Sequence, residues 1–120
     1  MRTATILMIL DEPRDLQIYG TALRSLGHKV VLCGSHLEGI GFIETESVDY
    51  VIVSQGTPPF EGQGVLQRIL QLRPKLPVLV IAGMLDVDYY FEAMEMGAVD
   101  YLVRPEPRDL LWTVGTHLQN

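Results

Sequence analysis

Short apolar runs alternate along the chain with segments in which apolar residues recur every three or four positions. The runs are rich in β-branched residues and almost free of charge, which is typical of parallel strands covered on both faces. Five strands are predicted in this way, at Ala4–Leu10, Lys29–Cys33, Val48–Val53, Val78–Ala82 and Tyr101–Val103.

The segments between the runs have the spacing of amphipathic helices. The predicted apolar stripes, one for each helix, are Leu16, Tyr19, Leu23 and Leu26; Leu37, Ile40 and Ile43; Val65, Leu66, Ile69 and Leu72; Val87, Tyr90 and Met94; and Leu110, Leu111, Val114 and Leu118. Ser35 is a predicted N-cap, and Gly27, Pro74 and Gly97 are predicted helix ends. Five β–α units with right-handed crossovers predict a flavodoxin-like α/β fold, a doubly wound five-stranded parallel sheet in the order 2-1-3-4-5.

Composition and charge limit the class of protein. The 120 residues are 48% hydrophobic, which predicts one domain over residues 1–120 with a packed core. The net charge of −6, with scattered basic residues, argues against a nucleic-acid partner for this domain. Cys33 is the single cysteine and lies in an apolar run, so it is interpreted as a core residue. No signal peptide or membrane-length apolar stretch is found, which predicts a cytoplasmic protein without a membrane partner.

The fold prediction also indicates where a site would lie. In doubly wound sheets ligands bind beyond the carboxyl ends of the strands, near the point where the strand order reverses. In this chain those ends are Leu10-Asp11-Glu12, Ser54-Gln55-Gly56, Ala82-Gly83 and Arg104-Pro105.

The segments at and around these positions resemble the receiver domains of bacterial two-component response regulators, over essentially the whole chain and without a gap. The similar segments are DEP at Asp11–Pro13, LRSLGHKV at Leu23–Val30, VDYVIVSQGTPPFEG at Val48–Gly62, LPVLVIAG at Leu76–Gly83 and AMEMGAVDYLVRP at Ala93–Pro105. The resemblance implies a phosphorelay module in which a histidine kinase phosphorylates an aspartate. It also implies a Mg²⁺ ion held by carboxylates, and a hydroxyl and a lysine that bind the phosphoryl group.

The residues at the positions that the resemblance marks as functional depart from this pattern. The register is set by Pro13 and Gly27 and supported by Pro58 and Gly62. In that register Ser54 stands at the phosphoacceptor position, Leu10 and Asp11 at the two acidic positions, Ala82 at the hydroxyl position and Arg104 at the lysine position. Glu12 lies one place later, where many members are acidic, and Tyr101 matches the aromatic residue that changes rotamer on activation in many receivers.

These departures predict the loss of phosphotransfer, because a serine hydroxyl cannot form an acyl phosphate and no histidine is adjacent to act as its base. Mg²⁺ binding through Asp11 is expected to be weak or absent, and no other cofactor and no enzyme activity are expected. Asp11 is expected to pair with Arg104, or otherwise to cap the first helix.

Three further regions receive structural interpretations. Tyr101 is interpreted as a plain surface or interface aromatic, because Ala82 offers no hydroxyl to couple it to the site. The histidines, His28, His36 and His117, are interpreted as surface residues. The stretch Gly56 to Gly64 lacks the lysine of a P-loop and is interpreted as a loop with turns rather than a nucleotide cradle.

Three hypotheses for function follow. The first is a phosphorylation-independent pseudo-receiver that binds signalling proteins, or an output domain of a longer chain, through its fourth helix, fifth strand and fifth helix. This face, which includes Tyr101, is also a possible homodimer interface, and LDVDYYFEAMEMGAVDYLVRP resembles receivers of transcription activators. The second is a phosphoacceptor that uses another residue, such as Asp11. The third is an anion- or nucleotide-binding module that uses Arg104 and the amides around Gly56.

Overall fold

Strands and helices alternate through the residues that the computed structural model describes, 3–56 and 61–119. The strands are β1 Thr5–Ile9, β2 Lys29–Cys33, β3 Tyr50–Ser54, β4 Val78–Ala82 and β5 Asp100–Val103. The helices are α1 Pro13–Ser25, α2 His36–Thr45, α3 Glu61–Leu72, α4 Val87–Met96 and α5 Pro107–Leu118. The strands form one parallel sheet in the order β2-β1-β3-β4-β5, so the predicted fold class and strand order are confirmed.

Alternation along each strand divides the core into two layers, because successive side chains point to opposite faces of a sheet. Leu7, Val51 and Val80 face the layer that α2, α3 and α4 cover. Met8 and Ile52 face the layer that α1 and α5 cover. Cys33 belongs to the first layer, and burial raises the pKa of its thiol to about 11, which agrees with its interpretation as a core residue.

Several local signals start and end the helices as the sequence predicts. The Ser35 hydroxyl accepts a hydrogen bond from the backbone N–H of Glu38 at 3.2 Å, which caps the amino end of α2. Gly27 and Gly97 follow α1 and α4 with φ of +90° and +115°, a left-handed conformation that costs glycine little. Helix α5 has a start signal that is not among those predicted: Pro107 occupies its first turn, where a missing N–H leaves no hydrogen bond unmade.

Some predicted features of the helices are wrong. Leu37 and Val87 are exposed rather than buried, with 81% and 54% of their surface accessible. Ile43 is buried as predicted, and Gly39 rather than Leu37 lies with it on the buried face of α2, because Gly39 lets that helix approach Ile9 closely. Helix α3 begins at Glu61, so Gly64 lies in a helix rather than in the predicted loop. Pro58, which supports the sequence register, lies outside the described residues.

The histidines are not the surface residues predicted from the sequence. His28 is only 5% exposed, and its Nδ1 accepts a hydrogen bond from the backbone N–H of Ala4 at 3.1 Å. His117 is half-buried, with its Nδ1 2.6 Å from the hydroxyl of the fully buried Tyr50. His36 is also half-buried and turns toward the end of β3. Within the described residues, no helix has the length and apolar character needed to cross a membrane.

Candidate functional site

The carboxyl ends of four strands open into one cleft of about 670 Å³. The register explains this convergence, since Ser54 pairs with Ile81 in the neighbouring strand and Ala82 pairs with Val103 in the next. All six positions that the sequence marked around the phosphoacceptor line the cleft: Leu10, Asp11, Glu12, Ser54, Ala82 and Arg104. The sequence therefore brings the expected set of positions together, although the residue types differ from the pattern.

Ser54 is the last residue of β3 and is 7% exposed. Its Oγ accepts a hydrogen bond from the backbone N–H of Asp11 at 3.3 Å, which links the ends of β1 and β3. Its Oγ also lies 3.4 Å from Nε2 of His36, the first residue of α2. The expectation that no histidine is near Ser54 is wrong, because it considered only neighbours in the sequence and the fold brings α2 beside β3.

The acidic positions after β1 behave differently from each other. Leu10 is 2% exposed and packs in the core. Asp11 is exposed at the cleft and does not cap α1, because Glu12 is the N-cap and accepts a hydrogen bond from the backbone N–H of Arg14 at 3.3 Å. Asp11 and Arg104 line the same cleft, but no ion pair joins them. The predicted pairing of these two residues is therefore wrong.

The charges around the cleft are mixed, with an excess of carboxylates. Arg14 and Arg104 line the cleft together with four acidic residues, Asp11, Glu12, Asp15 and Glu106. Burial raises the pKa of Asp15, and the neighbouring carboxylates of Glu12 and Asp11 raise it further. The cleft therefore carries more negative than positive side-chain charge, unlike a typical anion-binding site.

The backbone at Arg104 is unusual for a residue with a side chain. Its φ is +45°, in the left-handed region, and its N–H donates to the carbonyl of Ala82 at 2.9 Å. Next to it, the hydroxyl of Tyr19 in α1 donates to the carbonyl of Pro105 at 2.6 Å. Burial raises the pKa of the Tyr19 hydroxyl, which favours the protonated form that donates this bond. These contacts fix the β5–α5 turn against α1.

Tyr101 lies inside the molecule, which corrects its interpretation as a surface aromatic. It is 8% exposed, its ring packs against Tyr89 and Tyr90, and its hydroxyl donates to Oε1 of Gln55. No role for Gln55 is predicted from the sequence. One feature of the sequence points to its position: Gln55 directly follows Ser54. Since successive side chains of a strand point to opposite faces of the sheet, the side chains of Ser54 and Gln55 diverge.

Comparison with known proteins decides the family. The family description "Response regulator receiver domain" matches residues 6–114, which is most of the chain. The chain belongs to the response regulator receiver family. It is 27% identical over 111 residues to the transcriptional regulatory protein GlrR of Escherichia coli, covering 92% of this chain and 25% of GlrR. It is 30% identical over 106 residues to the probable transcriptional regulator ycf27 of Cyanidium caldarium, covering 88% of this chain and 42% of ycf27.

Solved structures agree with this receiver assignment. A CheY-like receiver domain protein from Methanospirillum hungatei superimposes with a TM-score of 0.91 at 25% identity, covering 98% of this chain and 94% of the other. A receiver domain protein from Clostridium thermocellum superimposes with a TM-score of 0.84 at 33% identity, covering 94% and 92%. The chain spans about a quarter of the length of regulators such as GlrR.

The positions that line this cleft are those to which the resemblance to receivers assigns the phosphoryl group and its metal. Within the part of the chain that the structure describes, no three His, Cys, Asp or Glu side chains come together as a metal site would require. The donors present do not fit the family's Mg²⁺: Leu10 offers no oxygen, and Ser54 offers a neutral hydroxyl where the pattern has a carboxylate.

Proposed function

We propose that this receiver domain is a protein-interaction module of two-component signalling whose output does not depend on an aspartyl phosphate. One observation carries the proposal: the side chain at the end of β3, where the phosphoacceptor belongs, is the buried hydroxyl of Ser54. A phosphoryl group on serine is an ester rather than an acyl phosphate, so the usual exchange between carboxylate and kinase histidine is lost.

The neighbouring residues support the same proposal. Of the three positions that carry carboxylates in the receiver pattern, only Asp11 keeps one, and the neighbouring Glu12 already caps α1. Ala82 provides no hydroxyl at the end of β4, and Arg104 replaces a compact ammonium with a planar guanidinium. With four positions of one cleft changed, no single neighbouring residue can restore the lost chemistry. Weak or absent Mg²⁺ binding is part of the proposal.

Two observations bear on the alternatives. Asp11 is exposed at the cleft and remains available as a non-standard acceptor. The contact between Ser54 and His36 favours a second candidate function, a slow acceptor that forms a phosphoserine ester with His36 as the base. The four carboxylates of the cleft weigh against the third alternative, an anion- or nucleotide-binding module based on Arg104 and Gly56.

Incubation with acetyl phosphate and Mg²⁺, followed by intact mass spectrometry, tests the proposal. We expect no phosphoryl adduct on the native chain. An adduct that hydroxylamine removes, and that Asp11→Asn abolishes, would instead establish an acyl phosphate on Asp11. An adduct that resists hydroxylamine, and that both Ser54→Ala and His36→Asn prevent, would establish the ester.

The α4–β5–α5 face, defined by the exposed side chains of Val87, Phe91, Val103 and Trp112, is the proposed interaction surface. These residues are 54%, 62%, 43% and 73% exposed, and large aromatic side chains of this kind are typical of interface centres. The proposed occupant is a signalling protein, an output domain of a longer chain, or a second copy of the domain. Full-length regulators such as GlrR, a transcriptional regulatory protein, support an output domain as the partner.

A further inference from the structure

Gln55 uses both ends of its side-chain amide inside the protein. It is 2% exposed, and its Nε2 donates a hydrogen bond to the carbonyl of Met84, in the β4–α4 loop, at 3.1 Å. Its Oε1 accepts the hydrogen bond of the Tyr101 hydroxyl. Its backbone N–H donates to the carbonyl of Ile81 at 2.8 Å, which fixes the position of the residue itself. Gln55 therefore connects β3, β5 and the β4–α4 loop.

Tyr101 is held from the other side as well. The backbone N–H of Asp86 donates to the Tyr101 hydroxyl at 3.3 Å, and the Asp86 carboxylate caps α4 by accepting from the backbone N–H of Tyr89 at 2.8 Å. The Tyr101 ring centroid lies 5.3 Å from that of Tyr90 and 6.2 Å from that of Tyr89. Both the hydroxyl and the ring are thus engaged with the beginning of α4.

The two hydrogen-bond partners of the Tyr101 hydroxyl, Gln55 and Asp86, do not line the cleft. Ser54 and Ala82 line the cleft, whereas Gln55 is not among its lining residues. Ala82 carries no hydroxyl that could connect a group in the cleft with Tyr101. The hydrogen bond that determines the position of Tyr101 therefore comes from the protein itself and involves no occupant of the cleft.

We propose that Gln55 is a positioning residue that locks Tyr101 in its inward rotamer and thereby fixes the β4–α4 loop and the outer surface of α4 in a single arrangement. The inference rests on the proposed function and specifies how the interaction surface is presented: constitutively, without a switch. Turning Tyr101 outward would leave the Oε1 of Gln55 buried without its hydrogen bond. Such a loss disfavours a conformation by about fivefold to 150-fold.

The test compares the native domain with Gln55→Met and Tyr101→Phe by NMR. The methionine has nearly the size of glutamine but makes neither side-chain hydrogen bond, and the phenylalanine keeps the ring without its hydroxyl. In the native domain we expect strong nuclear Overhauser effects between the Tyr101 and Tyr90 rings, with or without acetyl phosphate and Mg²⁺. In both variants we expect hydrogen exchange of the Asp86 amide to accelerate by about threefold to tenfold, the equivalent of one lost hydrogen bond.

The double variant and a matched control separate positioning from a general loss of stability. Both substitutions break the hydrogen bond between Gln55 and Tyr101, so their effects on exchange at Asp86 should be less than additive in the double variant. Tyr19→Phe likewise removes a tyrosine hydroxyl that donates a hydrogen bond, but this one extends from α1 to the backbone carbonyl of Pro105. We expect this control to leave exchange at Asp86 unchanged.

Two results would overturn the lock. One is exchange of the native Tyr101 ring between two positions; the other is an unchanged Asp86 exchange rate in Gln55→Met. If that variant folds poorly, the native ring measurement and Tyr101→Phe still decide the question. Failure of the proposed function has a different signature, a phosphoryl adduct in the mass spectrum, so the two failures can be distinguished.

Discussion

His28 shows how one buried side chain makes the stability of this domain depend on pH. Burial lowers the pKa of His28 from its ordinary value of 6.5, and the neutral Nδ1 accepts the hydrogen bond of the Ala4 amide. In the unfolded chain the same imidazole binds a proton more readily. The stability that neutral His28 contributes is therefore complete above about pH 6.5, and it is lost as the pH falls through the lowered pKa of the folded state.

Substitution of His28 by asparagine tests this dependence. The asparagine Oδ1 can accept from the Ala4 amide without titrating, although the smaller side chain packs less well. We expect His28→Asn to be less stable by roughly 1 kcal/mol at neutral pH, and this deficit to shrink as the pH falls to about 5. Urea unfolding at a series of pH values measures both quantities. Parallel stability curves for the two proteins would contradict the prediction.

Metal binding can be tested at two residues of the cleft. Substitution of Leu10 and Ser54 by aspartate would place two carboxylates beside Asp11, giving the oxygen set that Mg²⁺ prefers. Without metal, the repulsion between carboxylates and the loss of a buried leucine should lower the free energy of unfolding by about 3 kcal/mol or more.

Addition of Mg²⁺ should raise the melting temperature of this double variant and leave that of the native domain unchanged. Replacing Mg²⁺ with an equal ionic strength of NaCl controls for screening. An equal Mg²⁺-dependent rise in the native domain would show that its own oxygens suffice.

At the scale of single residues, the sequence predicts which residues lie at the cleft better than it predicts their side-chain contacts. Leu10, Ser54, Ala82 and Arg104 line one cleft, as expected from the sequence, because the carboxyl ends of parallel strands converge. The contacts of His36, Gln55 and Tyr101 do not follow from the sequence, because they depend on which rotamer fits between elements that are distant in the sequence. Spacing along the chain contains no information about that fit.

At the scale of elements, the two glycines of α2 have opposite roles. A Cβ added to Gly39 would lie 2.5 Å from Cγ1 and 2.9 Å from Cγ2 of Ile9, closer than atoms can approach. A Cβ added to Gly41 would meet no atom within 4 Å. Gly39 therefore permits α2 to pack on β1, whereas Gly41 only adds backbone entropy to the unfolded chain.

Alanine substitutions distinguish these two roles. We expect Gly39→Ala to lower the free energy of unfolding by about 1–3 kcal/mol through overpacking. We expect Gly41→Ala to raise it by about 0.5–1 kcal/mol, since alanine favours helix. Urea unfolding of the two variants provides the measurement and its matched control, because the helix and the substitution are the same. Equal effects at the two positions would contradict the packing argument.

The positions of the strands and helices are easier to predict than the face that each helix buries. The limits of β2 and β4 follow directly from β-branched runs bounded by polar residues and turns. The exposed Leu37 shows the limit of the method, because helical periodicity allows several stripes and only packing selects one. In α2 that selection depends on the close approach at Gly39.

At the scale of the whole molecule, the apolar side chains that remain outside the core are the main clue to how the domain acts. Phe91 and Trp112 are strongly exposed on α4 and α5, and exposing large aromatic side chains to water is unfavourable. Exposed acidic residues, Asp88 and Glu92, lie on α4, and the basic Arg108 lies on α5. A two-fold arrangement of two copies would allow these opposite charges to face each other while the aromatics are covered.

We therefore expect the native domain to associate with itself through the α4–β5–α5 face. Phe91→Lys and Trp112→Lys should each raise the dissociation constant by about tenfold or more, because aromatic residues at interface centres carry much of the binding energy. Their secondary structure should be unchanged, since both side chains are exposed.

Sedimentation velocity over a range of concentrations measures the association. Leu37→Lys on α2 is the matched control, because it removes an apolar residue outside this face that is even more exposed than Phe91 and Trp112. Equal association of the native domain and the Phe91→Lys variant would contradict the assignment of the face.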